Sequence, residues 1–402
     1  MTKKKHLVVV CGRYYPLMSP TAMCAERYAS LFADEYDIEV ISESQNGKDE
    51  TIDSDNGFRI HTLACLRTRL EQNSCGIIKK CLHRIGSAML FVDFLGNQQW
   101  YRKALCNKLE QIHRSKSIDV IFTICSPLAA HCGSADFKTR HPEVRLCSYT
   151  VDPYSTPDRI KPVWRSRSQM LSFERKVLRR MDYVLLSEEV YNTRPELYEG
   201  IANCRALPYM MPVLLNSKPT KNLYTSDKVN CIYAGSFYSD IRNPEFLLNV
   251  FARMPHNIIL HLYSKGCENI VSRYSAVPNI IVHDTVTPSE LQAVYKSADI
   301  LIGVGNAVRD YLPSKTFEYI SQLKPIVYFN HADIENEVLL DYPVALQLSD
   351  EEDVEKASSK LSDFCKACVT RPSIEKKEIL KLYKKHTPQY IKAIIEKVFI
   401  KK

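Results

Sequence analysis

The sequence predicts an α/β protein of two doubly wound domains, each a mostly parallel sheet with helices on both faces. Three observations predict it. Short, continuously apolar runs alternate with segments of helical spacing, which is the pattern of strands buried on both sides. The series occurs twice, before and after a proline-bearing stretch at 205–227. The 402 residues, 45% of them hydrophobic, suffice for two ordinary cores.

In the first series strands are expected at 6–11, 38–42, 120–124, 146–150 and 183–187. Residues 22–35 read as a helix, with Ala25, Tyr28, Ala29 and Phe32 on one stripe. The second series puts strands at 229–234, 258–263, 279–283, 300–303 and 325–329. Helical patterns lie between them at 244–253, 289–297 and 314–322, the first opened by Asn243 with Pro244 in its first turn. Further helices are expected at 354–364, 374–385 and 388–398. The expected domains are 1–207 and 228–385, with a linker at 208–227 and a last helical segment at 386–402.

Lys and Arg total 54 against 46 Asp and Glu, a net charge of +8. This suits an anionic partner without choosing one. Two basic stretches stand out. Residues 76–105 have helical spacing, with Ile77, Leu82, Phe91 and Phe94 beside Lys79, Lys80, Arg84, Arg102 and Lys103. Residues 159–180 are basic throughout, with Glu174 as the only acid. One reading docks these stretches on an anionic bilayer; the other makes them solvated helix faces. No stretch reaches the ~20 apolar residues of a spanning helix. The apolar run after Lys3–Lys5 ends at Gly12, too short for a secretion signal. The expectation is a cytoplasmic protein, peripheral at most on the inner face of the membrane. The 14 cysteines are scattered, and Cys11, Cys125 and Cys231 sit inside apolar runs, as reduced core thiols do. Cys365 and Cys368 form a Cys-x-x-Cys with no second pair, so neither zinc nor redox chemistry is expected there.

The stretch 303–318, GVGNAVRDYLPSKTFE, follows a strand and enters a helix near Pro313 or Ser314. Open α/β sheets bind ligands between a strand's carboxyl end and the next helix. The first N–H groups of such a helix, with their partial positive charge, suit a diphosphate. Ser314 and Lys315 open this helix, and Lys315 adds a full charge. Glu318, three residues on, shares its face and can accept hydrogen bonds from ribose hydroxyls. A Lys/Glu pair alone on a capped helix would be an ordinary surface feature. Here strand, loop, pair and a following apolar strand coincide.

The segment 312–327, LPSKTFEYISQLKPIV, resembles the donor site of retaining family-4 glycosyltransferases, enzymes of the GT-B fold. Its Pro-Ser-Lys-x-Phe-Glu-Tyr form is similar to that of bacterial surface-polysaccharide enzymes. The resemblance implies that Glu318 holds the ribose. Counting back at the family's spacing gives Asp310, which would face the donor sugar, with Asp where the family has Glu. Leu323 stands where the family has Gly. Residues 233–244, YAGSFYSDIRNP, resemble the family's first Gly-rich loop. This implies close backbone approach at Gly235, Ser236 in place of the family's Arg, and Arg242 on the diphosphate. Residues 282–291 and 298–300 match the family's rhythm around the nucleobase.

In the first domain, 13–22 (RYYPLMSPTA) takes the place of the family's paired-glycine loop. Ser19 and Thr21, with Arg27 on the following helix, would meet acceptor or diphosphate; the alternative is a simple helix cap. His131, in 123–131, approaches the donor sugar by resemblance, or is a satisfied core histidine. Asp152, in 149–154, is an acceptor ligand or base, or a turn aspartate before proline.

The resemblance implies a metal-independent hexosyl transfer from a nucleotide-diphosphate sugar, with retention. The acceptor would be a lipid-linked sugar or a polysaccharide, in capsule or lipopolysaccharide synthesis. The first domain would hold the acceptor, the second the donor, and the last helix would return to the first domain. Lys315 and Arg242 would stabilise the leaving phosphate in place of a metal, and no cofactor is expected. Asp53-Ser-Asp55 lies in a polar stretch between strands rather than at a strand end. The competing readings are a sugar-nucleotide epimerase of the same shape, an inert membrane scaffold and a nucleic-acid-binding protein. The last lacks an aromatic RNA motif or zinc module. A dinucleotide dehydrogenase is not expected, because no Gly-x-Gly-x-x-Gly follows the first strand.

Overall fold

The computed structural model describes residues 4–14, 19–54, 57–64, 96–125, 127–155, 166–214, 223–307, 314–370 and 373–400. The chain divides into two compact units. One is Met1–Met210 with Pro388–Lys402; the other is Met211–Thr387.

The first unit is built on β1 (Lys5–Val10), β2 (Tyr36–Glu43), β3 (Glu50–Asp53), β4 (Arg59–Leu63), β5 (Val120–Cys125), β6 (Arg145–Thr150), β7 (Tyr183–Ser187) and β8 (Cys204–Leu207). They form one sheet in the order β3-β4-β2-β1-β5-β6-β7-β8, parallel except for the antiparallel edge pair β3–β4. Helices α1 (Pro20–Ser30), α2 (Gly96–Ser115), α3 (Leu128–Arg140), α4 (Arg167–Leu178) and α5 (Glu188–Thr193) connect them. The continuous apolar strands are continuous because both faces are covered. In β1, Leu7 and Val9 face a core with Tyr28, Phe32 and Phe122, whereas Val8 and Val10 face another with Leu105, Leu109 and Phe137.

The second unit has β9 (Val229–Ser236), β10 (Ile258–Lys265), β11 (Ile280–Val282), β12 (Ile300–Val304), β13 (Ile326–Asn330) and β14 (Ala345–Ser349). With them are α6 (Glu245–Phe251), α7 (Glu268–Val271), α8 (Pro288–Ser297), α9 (Ser314–Ile320), α10 (Val354–Val369) and α11 (Lys376–Leu382). The sheet order is β11-β10-β9-β12-β13-β14, all parallel. The chain leaves β9 toward β10 on one side and β12 toward β13 on the other. That reversal opens a crevice at the carboxyl ends of β9 and β12. The last helix, α12 (Pro388–Phe399), belongs to the first unit: its Phe399 ring lies 5.0 Å from Phe32 and 5.5 Å from Phe122.

One device recurs at the amino edge of both sheets. Asp119, Asp182 and Asp299 each precede a strand, and each carboxylate accepts the N–H of the neighbouring strand. The bonds run from His6 N at 2.7 Å, Leu146 N at 2.7 Å and Asn230 N at 2.8 Å. These N–H groups would otherwise lie unpaired at the start of a buried strand, so each aspartate sets register as well as satisfying a donor.

Four of the strands are absent from the sequence expectation. β3, β4, β8 and β14 are short, edge-proximal or half polar, and lack a continuous apolar run. Consequently Arg205–Leu207, the start of the proline-bearing stretch at 205–227, pair with β7 in β8. Asp53 lies on a strand and pairs with Arg59 at 3.3 Å, while Asp55 lies outside the described residues. Of the helical stretch expected at 76–105, residues 96–105 belong to α2 and the rest lie outside the described residues.

The strands below the crevice pack without slack. A β-carbon on Gly303 would stand 2.3 and 2.6 Å from ring carbons of Tyr328, a ring only 3% exposed. Gly303→Ala should destabilise the second unit by about 3 kcal/mol, read as a lower urea midpoint of its unfolding transition, because the ring has nowhere to move.

Candidate functional site

At the carboxyl end of β9, Gly235 lets two side chains cross its face. Its absent β-carbon would meet the Tyr233 hydroxyl at 3.0 Å and the Lys315 Cε at 3.6 Å. The Lys315 stem therefore runs over Gly235, and its ammonium donates to the carbonyl of Ala234. Tyr319, one turn further along α9, donates to the same carbonyl at 3.5 Å. Tyr233 donates to the Ser236 carbonyl at 3.3 Å and stacks on Phe237 at 4.4 Å.

Arg242 enters from the loop after β9. Tyr238 and Arg242 exchange backbone hydrogen bonds of 3.2 and 2.7 Å, which closes that loop into a tight turn. The guanidinium then reaches across to the loop after β12. Its Nε and Nη2 donate to Asn306 Oδ1 at 3.1 and 2.8 Å, and its Nη1 donates to the Ser236 carbonyl at 3.3 Å.

Glu318 completes the group on α9. Burial pushes the Lys315 ammonium below its ordinary pKa; Glu318 opposes the shift and Arg242 adds to it. The three charges therefore feel one another at the mouth of the crevice. The structure brings together Gly235, Ser236, Arg242, Lys315 and Glu318, with Ser314 half-buried at the start of α9. Asp310 lies outside the described residues. The segments expected around the nucleobase also have local duties. Thr287 and Glu290 form a capping box on α8, His283 stacks on Tyr263 at 4.4 Å, and Asp299 locks β9 to β12.

The first unit treats its candidates differently. The Ser19 hydroxyl accepts from Ala22 N at 3.2 Å and meets Thr21 Oγ1 at 3.0 Å, so both hydroxyls serve the cap of α1. Arg27 donates to the Tyr209 hydroxyl at 2.9 Å, in the last turn of α1 and away from Ser19. His131 is fully buried. Its ring nitrogens meet Thr123 Oγ1 at 3.0 Å and Thr150 Oγ1 at 3.3 Å, and burial lowers its pKa to about 3. It is placed as a neutral core histidine with no edge open to a sugar, which corrects the catalytic reading. Asp152 stands half-buried just beyond the carboxyl end of β6.

The basic stretch at 159–180 is less positive in space than in sequence. Arg167 pairs with Glu196 at 3.5 Å, Arg175 with Glu199 at 3.6 Å and Arg180 with Asp136 at 2.9 Å. Glu174, its only acid, is fully buried and accepts the N–H groups of Tyr154 and Ser155 at 2.8 and 2.9 Å. It holds the turn that carries Asp152. Among the described residues no helix is long and apolar enough to cross a membrane.

Sequence reasoning missed Asn306, Tyr233, Tyr319 and Glu174 as parts of these arrangements. Asn306 lay inside the stretch singled out, but its partner Arg242 is distant in sequence. Among the described residues, His113, His141 and Glu143 are the one trio close enough to share a cation. The Nδ1 of His113 accepts the Ile118 N–H at 3.1 Å, which leaves the neutral ring's proton on the nitrogen facing Glu143. That ring offers the trio no lone pair, so the cluster does not fit a metal.

No family model and no curated protein matches the chain. Solved structures do. A sucrose-phosphate synthase from Thermosynechococcus elongatus is 11% identical with a TM-score of 0.69, covering 98% of each chain. HepE from Anabaena, in complex with UDP and glucose, is 10% identical with a TM-score of 0.61, over 97% of this chain and 98% of that one. A trehalose-6-phosphate protein from E. coli, bound with UDP-2-fluoro glucose, is 12% identical with a TM-score of 0.63, over 99% and 100%. At such identities the likeness is one of fold, and the fold is the two-domain GT-B architecture.

The depressed pKa of Lys315 has a consequence for stability. The unfolded lysine binds its proton up to the ordinary value of 10.5, and the folded one releases it earlier. The folded state is thus penalised below its own pKa, and the penalty fades as pH rises toward 10.5. Lys315→Met should be more stable than the parent near neutral pH, with the difference shrinking on raising the pH, as followed by urea midpoints across that range.

Proposed function

We propose that the chain is a glycosyltransferase that moves a sugar from a nucleoside-diphosphate donor to a lipid-linked or polysaccharide acceptor. The observation that carries this reading is the convergence of Arg242 and Lys315 with Glu318 at the switch-point crevice of the second unit. Among the described residues, two cations beside one carboxylate leave the mouth net positive, which suits a diphosphate, while Glu318 suits ribose hydroxyls. Two structures of the same fold carry UDP with glucose, or a UDP-sugar, in their own sites.

In such a transfer the bond from the anomeric carbon to the phosphate oxygen breaks, and its electron pair leaves with the nucleoside diphosphate. The acceptor oxygen bonds to the anomeric carbon, and its proton passes to the departing phosphate. Charge therefore develops on that phosphate, where Arg242 and Lys315 would stabilise it from fixed positions. With those two cations in place, turnover is proposed to need no metal. With the leaving phosphate as base, the acceptor attacks on the face the phosphate leaves, and configuration is retained. Asp152, in a turn fixed by the buried Glu174, is the proposed acceptor-side group of the first unit. The acceptor is proposed to be a cell-surface glycan precursor met at the cytoplasmic face of the membrane.

A thermal-shift screen of nucleoside diphosphates and their sugars, in EDTA, tests the donor reading. One nucleotide should raise the melting temperature, reflecting about 2.7 kcal/mol at one hundred times its Kd. Lys315→Ala and Glu318→Ala should fold and lose most of that shift. A shift of parental size in either variant would remove the site assignment.

A further inference from the structure

We infer that Asn306 is the positioning residue for Arg242, and that its neutrality keeps the Arg242 charge available to a diphosphate; this rests on the donor reading above. A guanidinium has two donor edges. Asn306 Oδ1 takes the Nε/Nη2 edge at 3.1 and 2.8 Å and the Ser236 carbonyl takes one Nη1 hydrogen at 3.3 Å, which fixes the plane of the group and leaves one hydrogen on each of Nη1 and Nη2 for an anion. Among the described residues the acceptors that the Arg242 guanidinium meets, the Asn306 amide oxygen and the Ser236 carbonyl, are both uncharged.

The amide is itself anchored. The next residue, Ala307, donates its N–H to the Ile241 carbonyl at 2.7 Å, beside Arg242. The loops after β9 and β12 are thus tied side by side, which keeps the Asn306 backbone next to Arg242. An aspartate would satisfy the same edge with nearly the same shape. It would also cancel the charge that the leaving phosphate needs, whereas an amide orients without cancelling.

The test is the Kd of UDP, measured by calorimetry in EDTA at fixed salt, for the parent, Asn306→Ala, Asn306→Asp, Arg242→Ala and the double variant Arg242→Ala/Asn306→Ala. Thermal midpoints serve as the folding control. Asn306→Ala should weaken UDP about tenfold, as loss of one charge-assisted orientation does, and should cost nothing further once Arg242 is alanine. Asn306→Asp, close to isosteric, should weaken UDP at least as much while unfolding no earlier than the parent.

A parental Kd in Asn306→Asp, or an equal loss from Asn306→Ala with and without Arg242, would overturn the inference. If Arg242→Ala and Lys315→Ala weaken UDP but Asn306→Ala does not, the inference fails and the donor reading stands. If the parent binds neither UDP nor any other nucleoside diphosphate, the donor reading fails with it.

Discussion

The ammonium of Lys315, resting on the carbonyl of Ala234, is the interaction that fixes a positive charge in the crevice. A half-buried lysine is costly to keep charged, and burial indeed lowers its pKa. The surroundings limit that cost with one carbonyl, with the nearby Glu318 carboxylate and with a stem laid flat over Gly235. Each of those is set by the sheet. Ala234 and Gly235 end β9, Glu318 lies one turn from Lys315, and the crevice exists because β9 and β12 send their chains in opposite directions. A cation fixed before any ligand arrives needs little reorganisation when one does.

The same economy of parts runs through both units. Parallel strands buried on both faces leave unpaired N–H groups at their amino ends. Asp119, Asp182 and Asp299 satisfy three of them in the same way. At the carboxyl ends of β9 and β12 the chain instead leaves in loops that carry Arg242 and Asn306. The amino edge is thus locked by carboxylates, and the carboxyl edge of the second unit is left positive. That division of labour between the two ends of one sheet is what open α/β folds permit.

Much of this was legible in the sequence, because its signals are local. Continuous apolar runs located β1, β5, β6, β7, β9, β10, β12 and β13, and Lys315 with Glu318 share a face simply by being three residues apart on a helix. What was not legible depends on distant partners. Asn306 reads as a loop residue until the Arg242 guanidinium lands on it. Glu174 reads as the odd acid in a basic stretch until its carboxylate is found under the turn of Tyr154 and Ser155. His131 looks available until the hydroxyls of Thr123 and Thr150 close on both ring nitrogens. Leu323 is the converse case. The resemblance in sequence implied glycine at this position, and the leucine adopts the left-handed conformation, φ 56°, that favours glycine.

Phosphorus NMR of UDP titrated with the protein tests the central claim most directly, because it reads the diphosphate rather than the base. A diphosphate held by Arg242 and Lys315 predicts that both phosphorus resonances shift on binding, and that Lys315→Met reduces the shift while the nucleobase proton shifts persist. Binding that moves the base protons alone, with the phosphorus resonances unchanged in the parent protein, would contradict it.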